Sequence, residues 1–172
     1  MKKAILITLT ILLALTFVSC ASTLSGSYGE PVNTLADAVK SGDADEYLSV
    51  FEKKYVTELE EYFTIISDTD LKTTVKETLD ATQAYNKEAC GAFTSVSVTE
   101  VKKETLEDFP SDAVYTGTFE PDGTVGEILS LTVSYVIEGM SGSTEPKEAT
   151  LVLYSIDGRY YLHPMHMMFV FQ

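Results

Sequence analysis

The stretch Glu127–Gly139, EILSLTVSYVIEG, decides the fold. Leu129, Leu131, Val133, Tyr135 and Ile137 point one way along an extended chain, while Ser130, Thr132 and Ser134 point the other. A strand with one apolar and one small polar face belongs to an antiparallel sheet covered on one side. Working outward, GMSGSTEP (139–146) reads as a flexible hairpin loop, and Lys147–Ile156 as the next strand. Asp157-Gly158 is a strong two-residue turn that returns the chain through Arg159–Leu162. Upstream, FTSVSVTEV (93–101) has strand character. The stretch 104–127 carries turn residues, Pro110, Pro121 and Asp122-Gly123, without a clear period.

Before Gly91 the period is helical. Pro31 opens a helix carrying Val32, Leu35, Ala36 and Val39, and Ser41-Gly42 stops it. Asp43 with Glu46 three residues on is an Asp form of the capping box. Leu48, Phe51, Tyr55, Leu59, Tyr62 and Ile66 then form one apolar stripe, on one long helix or on two that nearly align. SDTD (67–70) breaks the stripe and caps a third stretch bearing Leu71, Val75 and Leu79, which ends near 85–90. Helices followed by an antiparallel meander predict an α+β domain, with the N-terminal helices packed on a curved, cone-shaped sheet.

At this point the chain resembles the small bacterial lipoproteins of the nuclear transport factor two-like superfamily. The resemblance rests on the Pro-initiated helix, on SGDADEYLSVF (41–51), and on strands closing on LVLYSIDGRYYL (151–162). The last hairpin of those proteins typically reads "dGkWyl", matched by Asp157, Gly158, Arg159, Tyr160, Tyr161 and Leu162, with Arg for Lys and Tyr for Trp. The resemblance implies a cone between helices and sheet. It does not choose a function, since that superfamily includes isomerases, dehydratases and non-catalytic binding modules.

The first residues, MKKAILITLTILLALTFVSCAST, place Lys2 and Lys3 before an apolar run (4–18) and then small residues. That order is a secretory signal peptide, and the run is short for a membrane span. Phe17, Val18, Ser19 and Cys20 resemble a bacterial lipobox, with Phe17 departing from the usual aliphatic residue. The resemblance implies cleavage before Cys20, a diacylglyceryl group with two acyl chains joined to its sulfur as a thioether, and a lipid anchor on the extracytoplasmic face of a cell membrane. A competing cut after Ala21 would release the protein. Domain boundaries follow: 1–19 signal peptide, 20–30 lipidated Cys and flexible Ser/Gly-rich tether, 31–172 one α+β domain.

The full chain carries 12 basic and 26 acidic residues, a net charge of −14, and loss of Lys2 and Lys3 makes it about −16. Such a surface argues against nucleic acid as a partner and against electrostatic docking on anionic lipid. With Cys20 acylated, Cys90 in NKEACGAF (86–93) is a lone thiol, read as a small buried apolar residue.

Motifs for chemistry are sparse. Asp68 and Asp70 begin like a calcium loop, but Lys72 stands where the third ligand belongs. Tyr55, Tyr62 and Tyr135 lie on apolar faces and are the candidate lining of a ligand pocket. No carboxylate interrupts an assignable apolar face, so no general acid–base pair is visible. HPMHMMFVFQ (163–172) reads as a terminal strand packing its apolar side chains. Its His163, Met165, His166, Met167 and Met168 are ligand types that suit copper. Strand alternation, however, would send the two histidines to opposite faces. No cofactor is called for. The expectation is a non-catalytic, membrane-anchored domain binding a small ligand or an envelope protein. The alternative is an isomerase or hydro-lyase acting in the cone.

Overall fold

The computed structural model describes residues 23–110 and 119–172. The signal peptide, Cys20 and the first two residues after it lie outside the described residues.

After a 3-10 turn at Ser27–Gly29, helices α1 (Glu30–Ser41), α2 (Ala44–Leu48), α3 (Lys53–Ile66) and α4 (Leu71–Cys90) precede the sheet. α1 buries Val32, Leu35, Ala36 and Val39 and ends at Gly42, whose φ of 70° is left-handed. Asp43 caps α2, its Oδ1 accepting from the amides of Asp45 (2.9 Å) and Glu46 (3.1 Å). Glu46 does not complete the box; its carboxylate accepts from Ser41 Oγ instead, at 3.1 Å. Asp70 caps α4 by accepting from the Thr73 amide at 2.7 Å, which holds its carboxyl below the usual range.

The long stripe resolves into two helices, broken at 49–52. Its first half, Leu48, Phe51 and Tyr55, is buried, and Leu59 is half-buried. The second half leaves the body: Tyr62 is 54 % exposed, and Ile65 and Ile66 are exposed with it. Periodicity establishes that α3 is amphipathic, not that its far end has something to pack against.

The antiparallel sheet runs in the order β1 (Phe93–Leu106), β2 (Val125–Gly139), β4 (Lys147–Ile156), β5 (Arg159–Leu162), and the two-residue β3 (Gly142–Ser143) pairs with β2. It is strongly curled, a half-barrel with the helices packed against it. Register shifts at Glu100/Lys102 in β1 and at Val125/Ile128 in β2 mark bulges, which bend strands and raise their twist. Leu129, Leu131, Val133, Tyr135 and Ile137 are all buried in the main core, together with Leu151 and Leu153 of β4. Asp157 (φ 51°) and Gly158 (φ 81°) make the tight turn between β4 and β5. The outer edge of β5 is partly covered, because the Leu162 amide donates to the Val50 carbonyl at 2.9 Å.

The sheet's other face is not bare. Ile128, Val152, Tyr154 and Ile156 form a second cluster there, covered by Phe109, Phe119 and Met165. The terminal strand is absent. A 3-10 turn occupies Pro164–His166 and the chain then runs without regular structure, with Met167 and Phe171 plugged into the main core. Pro164 and the His163 ring, which accepts from the Met165 amide at 3.2 Å, favour a turn over an extended chain.

Candidate functional site

Glu52 is the residue on which the candidate site turns. It precedes the first turn of α3 in extended geometry, yet its side chain does not cap the helix. It turns inward instead, leaving the residue 5 % exposed. Oε2 accepts from the Tyr154 hydroxyl at 3.0 Å, and Oε1 accepts from the Asp122 amide. Burial, and then the Glu52 carboxylate beside it, push the Tyr154 phenol far above its ordinary pKa.

Aromatic rings enclose the pair. Tyr154 lies edge-on to Phe119 (5.3 Å between centroids) and to Phe109 (5.6 Å), and both phenylalanines contact the His163 ring, at 5.1 and 4.9 Å. Burial holds His163 down to about 4. It does the same for His166, with His163 beside it adding to the effect. Both histidines fasten the C-terminal turn to one residue of β4: the His163 amide donates to the Val152 carbonyl (2.9 Å), and His166 Nε2 accepts from the Val152 amide (2.8 Å).

This constellation of carboxylate, phenol and neutral imidazole escapes sequence reading for a definite reason. Glu52 sits next to Lys53 and Lys54, where an acid reads as part of a charged run, and the helix junction that turns it inward leaves no break in the apolar stripe of the sequence. Tyr154 alternates with Leu151 and Leu153 and so falls on the face expected to meet solvent. Phe109, Phe119 and Met165, packed on that face, help make it interior. The one local signal is an acid placed between the buried Phe51 and Tyr55.

Acid–base chemistry needs a lone pair or a proton aimed at a substrate. Here each Glu52 oxygen takes one protein donor, Tyr154 gives its proton to Glu52, and His163 Nδ1 and His166 Nε2 take backbone amides, which leaves a second lone pair on each carboxylate oxygen and one N–H on each imidazole. The titration of the histidines has a consequence for stability. Above pH 6.5 both folded and unfolded chains keep them neutral; below it the unfolded chain binds protons that the folded chain refuses until about 4. The melting temperature is therefore expected to fall progressively as pH drops from 6.5 toward 4. Replacing His166 with Gln, which offers an acceptor without titrating, should flatten part of that slope in thermal melts. A profile that is flat for the wild type contradicts the assignment.

The three candidate pocket tyrosines are not brought together. Tyr55 is buried between Phe51 (6.4 Å) and Phe119 (6.2 Å), Tyr62 is on the exposed end of α3, and Tyr135 reaches the C-terminal segment. The metal-type residues diverge as well. Met165 packs in the outer cluster, Met167 in the main core, and Met168 is exposed. With one ring nitrogen of each histidine already spent on a backbone amide, the run does not converge on an ion. Among the described residues no three of His, Cys, Asp and Glu group as metal ligands. Cys90 is buried, its thiol donating to the Asn86 carbonyl at 3.0 Å and pushed up by burial, which makes it unreactive.

Tyr135 does line a groove. Together with Tyr85, Lys147, Met168, Phe169, Val170 and Gln172 it bounds an open depression of about 520 Å³. Lys147 Nζ donates to the Gln172 main-chain oxygen at 2.7 Å, and the Tyr135 hydroxyl donates to the same oxygen at 3.3 Å. The rim is apolar where Met168 and Tyr85 are exposed. The Tyr135 proton is thus taken by Gln172, while the Lys147 ammonium keeps two further N–H donors beside an apolar wall, chemistry for an acceptor oxygen on a partly apolar molecule. A second depression between the N-termini of α2 and α4 is lined by Asp43, Asp70, Lys72, Lys76 and Glu77, and its lysines are paired, Lys72 with Asp45 and Lys76 with Asp80.

Comparison with known proteins brings no match: no family model fits the chain, and no curated protein or solved structure aligns with it. Among the described residues no helix is long and apolar enough to cross a membrane. What stands is an α+β domain, helices on a curled antiparallel sheet.

Proposed function

We propose that this chain is an extracytoplasmic lipoprotein, held to the membrane through Cys20, whose domain binds a small ligand or an envelope protein without converting it. The observation that carries the non-catalytic half is the commitment of Glu52, Tyr154, His163 and His166 to internal hydrogen bonds. They act as clamps between α3, β4 and the C-terminal turn. The groove at Tyr135 and Lys147 is the place where the domain offers unlike chemistry side by side. An isomerase or hydro-lyase remains the second reading, and the Glu52–Tyr154–His163 neighbourhood is what favours it.

Native mass spectrometry of protein isolated from its own membranes tests the choice. The expected result is a bound molecule or partner retained by Glu52→Gln and Tyr154→Phe. Its occupancy should fall about fivefold or more in Lys147→Glu, the loss that goes with about 1 kcal/mol. Chemical conversion of the bound molecule that is abolished by Glu52→Gln would instead establish the enzyme.

A further inference from the structure

The Ser/Gly-rich composition of residues 21–30 reads as a tether, but the described chain is docked from Leu24 onward. The Leu24 amide donates to Asn33 Oδ1, and Asn33 Nδ2 donates to the Leu24 carbonyl, both at 2.9 Å. One side-chain amide on α1 thereby pairs both polar groups of Leu24. The Leu24 side chain is 8 % exposed and joins the main core. Gly29 permits this approach, since a Cβ there would stand 2.6 Å from Leu24 Cβ.

Three residues, Ala21, Ser22 and Thr23, separate Cys20 from this fixed point. Four residue steps span at most about 13–14 Å when fully extended. The headgroup layer alone occupies about 5–8 Å on each side of the hydrocarbon. A domain anchored at Cys20 therefore has at most about 5–9 Å of reach beyond the headgroup layer, far less than its own diameter.

We propose that the domain rests directly on the bilayer, with the face around Leu24 and Tyr28 seated in the headgroup layer. The proposal rests on acylation of Cys20 as put forward above. Ser25, Gly26 and Ser27 are exposed at that face. Behind them the Tyr28 ring lies 4.1 Å from Lys103 Nζ and edge-on to Tyr160, and its hydroxyl donates to Glu100 at 2.8 Å. Tyrosine and lysine combine an apolar body with a polar tip, which suits the headgroup level. Charge here is balanced, Lys103 near Glu100 and Lys102 paired with Glu104 at 2.8 Å. The seating comes from the short leash rather than from attraction to anionic lipid, in keeping with the acidic net charge, and it holds on phosphatidylcholine alone.

The test uses the acylated chain in phosphatidylcholine vesicles containing a headgroup spin-labelled lipid, with a fluorophore on Ser27→Cys or on Met140→Cys. Met140 is 80 % exposed and follows Gly139, which pairs with Phe93, seven residues along β1 from Glu100, or about 23 Å. Quenching at residue 27 is expected to exceed that at residue 140 several-fold. Inserting about twenty Gly/Ser residues between Thr23 and Leu24, a flexible reach of roughly 22–27 Å, should abolish the difference. Equal quenching at the two sites, or quenching at residue 27 that the insertion leaves unchanged, overturns the proposal. Failure of acylation shows itself separately, as protein that does not float with the vesicles.

Discussion

Replacing Glu52 with leucine is expected to lower the melting temperature by about 6–12 °C. The substitution leaves the fully buried Tyr154 hydroxyl and the Asp122 amide without their acceptor. Hydrogen bonds to a charged group contribute about 1.5–3 kcal/mol each, and an orphaned buried donor forfeits its hydration as well. Relief from burying a carboxylate offsets part of this. A net loss of about 3 kcal/mol remains, and each kcal/mol moves the midpoint by about 2–4 °C in a domain of this size.

The sign of the effect separates the two functional readings. A carboxylate kept in an aromatic enclosure for catalysis is strained by its task, and its removal commonly stabilises the fold. A clamp does the opposite. Combining Glu52→Leu with Tyr154→Phe should cost less than the sum of the single changes, because the double variant leaves no orphan hydroxyl between the two positions. Thermal melts of the three variants measure this. A Glu52→Leu protein more stable than wild type would point to a working carboxylate.

Where sequence pattern and structure agree, the pattern was one the backbone must obey locally. The alternation in β2, the Asp157-Gly158 turn, and the Asp43 and Asp70 caps all depend on neighbours within a few residues. Where they part, a distant segment decides. β1 runs on through Lys102, Lys103 and Glu104 to Leu106, though no apolar face supports it, since β2 supplies the backbone hydrogen bonds. Tyr154 becomes interior where Phe109 and Phe119 pack on its ring, and Glu52 turns inward to the Tyr154 hydroxyl and the Asp122 amide. The supposed tether loses its freedom to Asn33, nine residues beyond Leu24. Apolar content at 163–172 announces burial correctly, yet burial is achieved by a turn that drops Met167 and Phe171 into the core. Of the three candidate pocket tyrosines, Tyr135 lines a groove, and its partner Lys147 is unremarkable in sequence because a strand-initial lysine usually faces solvent.

The largest effect is all-or-none. Changing Cys20 to serine should remove the thiol proposed to carry the lipid, and with it both chains of the proposed diacylglyceryl group, where two chains are what give stable anchoring. The protein would then leave the membrane fraction while keeping its fold, because Leu24 and the residues after it are held by contacts within the domain that do not involve Cys20. Among the described residues no helix is long and apolar enough to cross a membrane. Metabolic labelling with a clickable fatty acid, wild type against Cys20→Ser, is the direct measurement. Label confined to the wild-type protein, with the variant released from membranes, is the predicted result; equal labelling of both, or an unlabelled wild type, contradicts the anchor and the seating that depends on it.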